Sequence, residues 1–169
     1  MTRHTWKALA MVAVLVAAGC TTAAPPAQDV AADKAKLEAD ASSWFTFLEK
    51  GDTAGMANLY AEDARLTPPG VPAITGRAAI RAYFDDDLPK MKAAGLAIKN
   101  GKVTGADVSG DMGWITGDYT VVDASGAAVD SGNYMSVHTR TNGQWLYIRD
   151  TWNSDRPPAP ATPSSAPPK

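Results

Sequence analysis

The sequence has almost none of the residues that build metal centres and disulfides. Cys20 is its only cysteine, so no disulfide can form within the chain, and its two histidines are His4 and His138. Structural and catalytic zinc sites draw most of their three or four ligands from these residue types. The sequence therefore predicts no metal site, and the core must be held by packing alone.

Excess basic charge is also absent. The 169 residues carry 16 basic and 18 acidic side chains, whereas a protein that binds a nucleic acid backbone needs a basic surface. No glycine-rich phosphate loop or nucleophile-elbow serine is present, so we expect no nucleotide cofactor and no partner nucleic acid. The acidic run Asp85–Asp87 predicts a solvated helix end, because consecutive helical residues point in different directions and do not converge on one ion.

The sequence contains one long hydrophobic run, at its N-terminus. Ala8–Gly19 follows Arg3 and Lys7 and is shorter than the roughly 20 apolar residues of a membrane-spanning helix. A basic start, a short apolar stretch and small residues at its end are typical of a secretory signal. An ordinary signal peptide that leaves one free thiol is one interpretation.

The segment VAAGC, which ends at Cys20, resembles the lipobox of bacterial lipoproteins, with Ala17 where leucine is usual. The resemblance implies a signal peptide at 1–19, then a lipidated cysteine and a flexible tether at 20–33. It implies export and lipid anchoring to the bacterial cell envelope. Thr21 replaces the aspartate that tends to retain such proteins at the inner membrane, which favours the periplasmic side of the outer membrane in a Gram-negative host.

The C-terminal residues 156–169 are almost all Pro, Ala, Ser and Thr. They offer no large apolar side chain to bury, so we expect a disordered tail. Residues 34–155 remain for folded structure, which is the size of one ordinary domain.

Within that domain the hydrophobic period changes once. The first half has apolar residues at helical spacing, and the second half has segments rich in Val, Ile, Thr and aromatics that are separated by turns. Helices followed by sequentially linked strands predict an α+β domain with the helices on one face of an antiparallel sheet. The predicted helices are 29–52, 54–63 and 76–88, and the predicted strands are 64–69, 96–108, 113–123, 128–141 and 144–152.

The pair Asn142–Gly143 is a strong signal for a two-residue hairpin turn, and it sets a register that opposes Thr141 to Gln144. Because cross-strand partners point the same way, one face carries Met135, Val137, Thr139, Leu146, Ile148, Asp150 and Trp152. This more apolar face should meet the helices. The opposite face carries Tyr134, His138, Arg140, Trp145, Tyr147 and Arg149.

Three segments in this order resemble the NTF2-like superfamily, and within it the SnoaL-like proteins and their DUF4440 branch: Tyr60–Phe84, Gly110–Tyr119 and Gly132–Asp155. The resemblance implies a cystatin-like cone in which three N-terminal helices and a curved antiparallel sheet enclose a blind pocket. It implies a pocket formed by Trp44, Tyr60, Leu66, Met135, Val137, Ile148, Asp150 and Trp152.

The resemblance also shows three departures from the steroid isomerases of this superfamily. Their catalytic aspartate falls on Pro68, their first-helix tyrosine on Trp44, and their protonated strand acid on about Val137. Proline is no base, and an indole offers only one N–H donor. Steroid isomerisation by that mechanism is therefore not expected.

Asp150 is the candidate for chemistry, because a carboxylate on an apolar face is desolvated and its pKa rises toward neutrality. It could equally be a buried aspartate that other side chains satisfy. We expect a domain that binds a small, mostly apolar molecule. The alternatives are an isomerase, cyclase or hydrolase that uses Asp150 as general acid or base, and a structural dimer without ligand. The aromatic outer sheet face predicts a homodimer.

Overall fold

The computed structural model describes residues 28–157. The signal peptide, Cys20 and residues 158–169 of the predicted tail lie outside the described residues. Three helices precede most of a six-stranded sheet, which confirms the α+β class: α1 Val30–Lys50, α2 Thr53–Asn58, β1 Tyr60–Thr67, β2 Ile74–Thr75, α3 Arg77–Ala93, β3 Ala97–Ser109, β4 Met112–Val122, β5 Ala128–Thr141 and β6 Gln144–Ser154.

The helix ends follow from local chemistry. The side chain of Asp29 caps α1 by accepting from the N–H of Ala32, and Gly51 ends α1 in the left-handed conformation that glycine adopts without strain. Helix α1 begins at Val30, so residues 30–33 belong to the fold and not to the predicted tether. No helix in the range 28–157 is long and apolar enough to cross a membrane.

Two element predictions were wrong in the first half. Tyr60–Asp63 was expected to extend the second helix, but α2 ends at Asn58 and these residues begin β1. Strand β1 buries Tyr60, Ala61, Ala64 and Leu66. The packing of these side chains stabilises the strand by more than the local helix propensity favours a helix. Helix α3 also continues through Pro89 to Ala93.

The sheet has the order β2-β1-β6-β5-β4-β3, with β1 parallel to β6 and every other neighbouring pair antiparallel. Its concave face packs on α1 and α3 around a core that includes Met56, Tyr60, Leu66, Ile80, Phe84 and Tyr147. We call this face concave and the opposite one convex throughout.

The predicted hairpin register is correct at the turn and fails four pairs later. The pairs from Thr141–Gln144 to His138–Tyr147 are as expected, but Val137 then opposes Arg149 instead of Ile148. Ile148 is therefore the extra residue of a β-bulge, and such a residue reverses which faces the following side chains take.

On β6 the predicted faces are wrong between the turn and the bulge and correct beyond the bulge. Before it, Trp145 and Tyr147 are the inward residues of β6, not Leu146. After it, Asp150 is buried and Trp152 half-buried, so their inward prediction is confirmed. On β5 the predicted faces are reversed along the strand: Tyr134, Ser136, His138 and Arg140 face the helices, and Met135, Val137 and Thr139 lie on the convex face.

Candidate functional site

A cavity of about 70 Å³ lies between α1, α3 and the concave face of the sheet. One water molecule needs roughly 10–15 Å³ on this measure, so the cavity is several times larger than a single hydration site. Its walls are mostly apolar: Ala41, Trp44, Phe45, Leu48, Phe84, Asp87, Leu88, Met91, Ile98, Tyr119, Tyr134, Tyr147, Asp150 and Trp152. We call the part of the fold around it the open end.

Four of these residues define the mouth: Leu48, Leu88, Met91 and Ile98. They also line a wider surface groove of about 780 Å³, which carries charges of both signs, including Glu49, Lys50, Asp85, Lys92 and Lys99. The cavity therefore adjoins solvent near the C-terminal ends of α1 and α3.

A chain of hydrogen bonds supports the carboxyl group at the inner end of the cavity. The indole N–H of Trp44 donates to the Tyr60 hydroxyl over 3.0 Å, and that hydroxyl donates to Asp150 Oδ2 over 2.5 Å. Tyr60 is fully buried behind Asp150, so it holds the carboxyl group in place from the side of β1.

No cation compensates this carboxyl group within the described residues, since none of the ion pairs there includes Asp150. Burial raises the pKa of Asp150 to about 7, although the hydrogen bond from Tyr60 acts in the opposite direction. Burial, with a further contribution from Asp150, raises the pKa of Tyr60 and of Tyr147 well above 10. Asp150 can thus accept or release a proton near neutral pH.

The Tyr134 hydroxyl is the second polar group of the cavity. It is buried and has no hydrogen-bond partner among residues 28–157. Burial and the neighbouring carboxylates of Asp150 and Asp118 raise the pKa of Tyr134 to about 12, so the hydroxyl stays protonated. An unsatisfied buried donor is costly, and a bound molecule with an acceptor atom would satisfy it.

Two glycines make room for the tyrosines of the cavity. Gly117 opposes Tyr134 across β4 and β5, and a Cβ at Gly117 would lie 2.4 Å from the Tyr134 hydroxyl. Tyr119 opposes Gly132 in the same way, and its hydroxyl donates to the carbonyl of Asn153 over 2.9 Å. Each tyrosine lies over the glycine of the neighbouring strand.

His138 lies on the same concave face, contrary to the prediction, but it makes no bond to Asp150. Its Nε2 is 2.9 Å from the Ser136 hydroxyl, and its ring packs on Tyr147 with the centroids 4.0 Å apart. Its Nδ1 is buried without a partner among the described residues. Burial lowers the pKa of His138 to about 4, so the ring is neutral at pH 7.

The concave face has a second polar cluster at the N-terminal end of α1, which we call the closed end. Arg140 donates to both carboxylate oxygens of Asp33 at 3.0 Å and to Asp111 at 2.8 Å. Its guanidinium lies 5.1 Å from the ring centre of Trp145, whose N–H also donates to Asp33. The hydrogen bond from Gln28, and then those from Trp145 and Arg140, hold the pKa of Asp33 below its usual value.

The structure brings together only part of the predicted site. Trp44, Asp150 and Trp152 line the cavity, and Tyr60 supports it from behind. Leu66 and Ile148 pack in or against the hydrophobic core and do not line the cavity. Met135 and Val137 lie on the convex face, with Met135 47% exposed, because β5 turns the alternate residues Tyr134, Ser136 and His138 toward the helices.

Several cavity residues were not predicted, above all Tyr134, Tyr119 and Asp87. Tyr134 was assigned to the outer face, and Asp87 to a solvated helix end. One sequence signal could have found the two tyrosines: Gly-x-Tyr occurs at 117–119 and again at 132–134, on adjacent strands. In an antiparallel register each Tyr then opposes the Gly of the other triplet. No comparable signal marks Asp87.

No group of three or more His, Cys, Asp or Glu side chains in residues 28–157 is arranged to hold a metal ion.

The family model described as "SnoaL-like domain" matches residues 41–148. No curated protein matches the chain. Solved structures with a similar fold include an NTF2-like protein with a cystatin-like fold from Novosphingobium aromaticivorans, with 21% identity, a TM-score of 0.66, and coverage of 72% of this chain and 81% of that one.

Two further structures are similar. An NTF2-like protein of unknown function from Pseudomonas putida has 16% identity and a TM-score of 0.65, with 73% of this chain and 87% of that chain covered. A ketosteroid isomerase-like protein from Erwinia carotovora atroseptica has 19% identity and a TM-score of 0.57, with 74% and 98% covered. At these identities the similarity establishes the fold alone.

Proposed function

The chain belongs to the family of SnoaL-like domains, and on that premise we propose that it binds a small, mostly apolar molecule in the cavity of the open end. One observation carries this proposal: an apolar cavity is lined by Asp150, whose buried carboxyl group has no cationic partner, and by Tyr134, whose buried hydroxyl has no hydrogen-bond partner among residues 28–157. A side-chain-filled core would leave no such space, and polar groups placed in a mostly apolar pocket fix the orientation of a ligand.

The test is to identify what co-purifies with the full-length protein by native mass spectrometry, and then to fill the cavity. Ala41 lines it and is 2% exposed, so Ala41→Met should displace the bound molecule. Ala39→Met is the matched control, because Ala39 lies on the exposed side of the same helix. Retention of the molecule by Ala41→Met, or native protein without any bound molecule, would contradict the proposal.

A second candidate function is catalysis, with Asp150 as general acid or base and Tyr134 as a hydrogen-bond donor to the substrate. The pKa of Asp150, about 7, favours it. If the co-purified molecule is turned over, Asp150→Asn should abolish turnover and leave its affinity largely intact. Unchanged turnover would eliminate this mechanism. By the resemblance, Pro68 and Trp44 occupy two positions that carry steroid isomerase chemistry, and Val137, matched to the third, faces away from the cavity, so we propose a mechanism other than that of the steroid isomerases.

We further propose that the protein is an exported lipoprotein of the DUF4440 branch, anchored through Cys20 to the cell envelope, on the periplasmic side of the outer membrane in a Gram-negative host. The lipobox-like segment before Cys20 supports this. Labelling with an alkyne-tagged fatty acid should mark the wild-type chain and leave Cys20→Ser unmarked and in the soluble fraction. A wild-type chain without label would refute the anchor.

A homodimer through the convex face is the remaining part of the proposal. Trp145, Tyr147 and Tyr134 were predicted to lie on that face, and this assignment was wrong, because all three face inward. The convex face instead exposes Met112, Trp114 and Met135 to 48%, 39% and 47%. Trp114→Glu should convert a dimer to a monomer in analytical ultracentrifugation. Val71→Glu is the control, since Val71 is equally exposed but lies in a loop. A wild-type monomer at high concentration would contradict the dimer.

A further inference from the structure

The ionisable groups of the cavity favour one charge class of ligand. Its lining includes two carboxyl groups, Asp87 near the mouth and Asp150 at the inner end, and no Lys, Arg or His among the described residues. An anionic ligand would meet the carboxylate of Asp87 and any negative charge on Asp150 in an apolar space, whereas a cation would be attracted by both groups and would favour the ionised form of Asp150.

Asp87 is the one member of its acidic run that reaches the cavity. Asp85 accepts from the Thr53 hydroxyl and lies 3.7 Å from Arg81, and Asp86 pairs with Lys90 one helical turn later. Asp87 pairs with no basic side chain within the described residues. Asp87 accepts a hydrogen bond from the Tyr83 hydroxyl, but no basic side chain of the described residues neutralises its charge, so it can attract a cationic molecule in the cavity.

The walls add a second attraction for cations. Half of the fourteen lining residues are aromatic: Trp44, Phe45, Phe84, Tyr119, Tyr134, Tyr147 and Trp152. The ring of Trp44 stands nearly perpendicular to Phe45 and to Phe84, at 75° and 76°. Rings set at such angles present faces and edges to a common space, and the negative faces of aromatic rings attract ammonium groups.

We propose that the ligand of this cavity is a small organic cation, an alkylated ammonium group that carries a hydroxyl or carbonyl. The ammonium group contacts the aromatic walls of the cavity and pairs with the carboxylate of Asp87. The oxygen atom accepts from the Tyr134 hydroxyl, which lacks a partner within residues 28–157. This inference rests on the proposed binding function and narrows it from mostly apolar molecules to cationic ones.

The test compares two probes of the same shape, choline and 3,3-dimethylbutan-1-ol, which differ only in a charged nitrogen in place of a carbon. We expect choline to bind the full-length protein at least about tenfold more tightly in isothermal titration calorimetry, as cation–π attraction in a desolvated site implies. Asp87→Asn should weaken choline binding several-fold more than binding of the alcohol. Asp86→Asn is the matched control on the same helix and should leave both affinities unchanged.

The outcomes separate this inference from the proposed function. Equal affinity for the two probes, or tighter binding of the alcohol, would overturn cation selectivity and leave the apolar pocket standing. Absence of choline binding at millimolar concentration would also overturn it, whatever co-purifies with the protein. An equal loss of choline affinity in Asp86→Asn and Asp87→Asn would show a surface charge effect and refute the role of Asp87.

Discussion

The two ends of the concave face treat polar groups in opposite ways. At the closed end, Asp33 is held by Arg140, Trp145 and Gln28, so every charge has a counter-charge or donor. At the open end, Asp150 has a tyrosine and no cation, and the Tyr134 hydroxyl has no partner within residues 28–157. A structural cluster is stable when each of its buried polar groups has a hydrogen-bond or ionic partner. A polar group beside a cavity that lacks such a partner can gain one from a bound ligand.

The largest expected contrast comes from two tryptophans of β6. Trp145 at the closed end is 3% exposed, so Trp145→Ala should lower the free energy of unfolding by about 3–5 kcal/mol. Trp152 lines the cavity and is half-buried, so Trp152→Ala should cost about 1–2 kcal/mol and instead weaken ligand binding. Urea denaturation of both variants measures the contrast, and equal losses would remove the distinction between the two ends.

Asp150→Asn tests whether the open end carries an uncompensated charge. The pKa of Asp150 is about 7 instead of 3.8. The folded protein therefore holds a proton that the unfolded chain releases between pH 4 and 7. This group's contribution to stability falls as pH rises through that range, by roughly 4 kcal/mol in all. Asp150→Asn should remove this slope and be the more stable protein at pH 8. A wild type with no such loss between pH 4 and 7, relative to the variant, would contradict it.

His138 should show the opposite slope. Its folded pKa of about 4 lies below the ordinary 6.5, so the unfolded chain binds the proton first as pH falls. Stability is thus complete above pH 6.5 and falls by about 3 kcal/mol as pH drops to 4. His138→Gln keeps a polar side chain and should lose this dependence, measured by denaturant midpoints across the range. If the stability of His138→Gln fell between pH 6.5 and 4 as much as that of the wild type, a group other than His138 would be responsible for the loss.

The smallest contrast separates the two tyrosines that lie over glycines. Tyr119→Phe removes a hydroxyl that donates to Asn153, so it should lower stability by about 1 kcal/mol. Tyr134→Phe removes a donor without a partner in the described chain, so it should leave stability equal or slightly higher and weaken ligand binding. Thermal denaturation without ligand measures both variants. A loss in Tyr134→Phe as large as in Tyr119→Phe would show that its hydroxyl is already satisfied.

The sequence predicted the elements well where the signals are local. The hairpin at Asn142–Gly143, the end of α1 at Gly51 and the four long strands follow from turn residues and alternation, and all were confirmed. The register could not be carried beyond the His138–Tyr147 pair, because the bulge at Ile148 has no local residue signature. Its position depends on how β6 also pairs with β1, where Tyr60 opposes Tyr147 and Arg65 opposes Arg149.

The same bulge explains the mixed outcome at the site. Asp150 and Trp152 were placed inward from an unbroken alternation, and they do face inward, but only because the extra residue restores their phase. Tyr134 and His138 were placed outward by that alternation, and they face inward. Asp87 was missed because a sequence does not show which residue of an acidic run a neighbouring sheet will cover.

The extra residue in β6 also determines the charge of the cavity, because it decides which of the following side chains point inward. Arg149 and Asp150 are neighbours, and their side chains point to opposite sides of the sheet. If β6 had no bulge at Ile148, regular alternation would turn the Arg149 side chain toward the cavity and the Asp150 side chain toward the convex face. The position of one extra residue in β6 thus decides whether Asp150 or Arg149 faces the cavity, with no change in the amino acid composition.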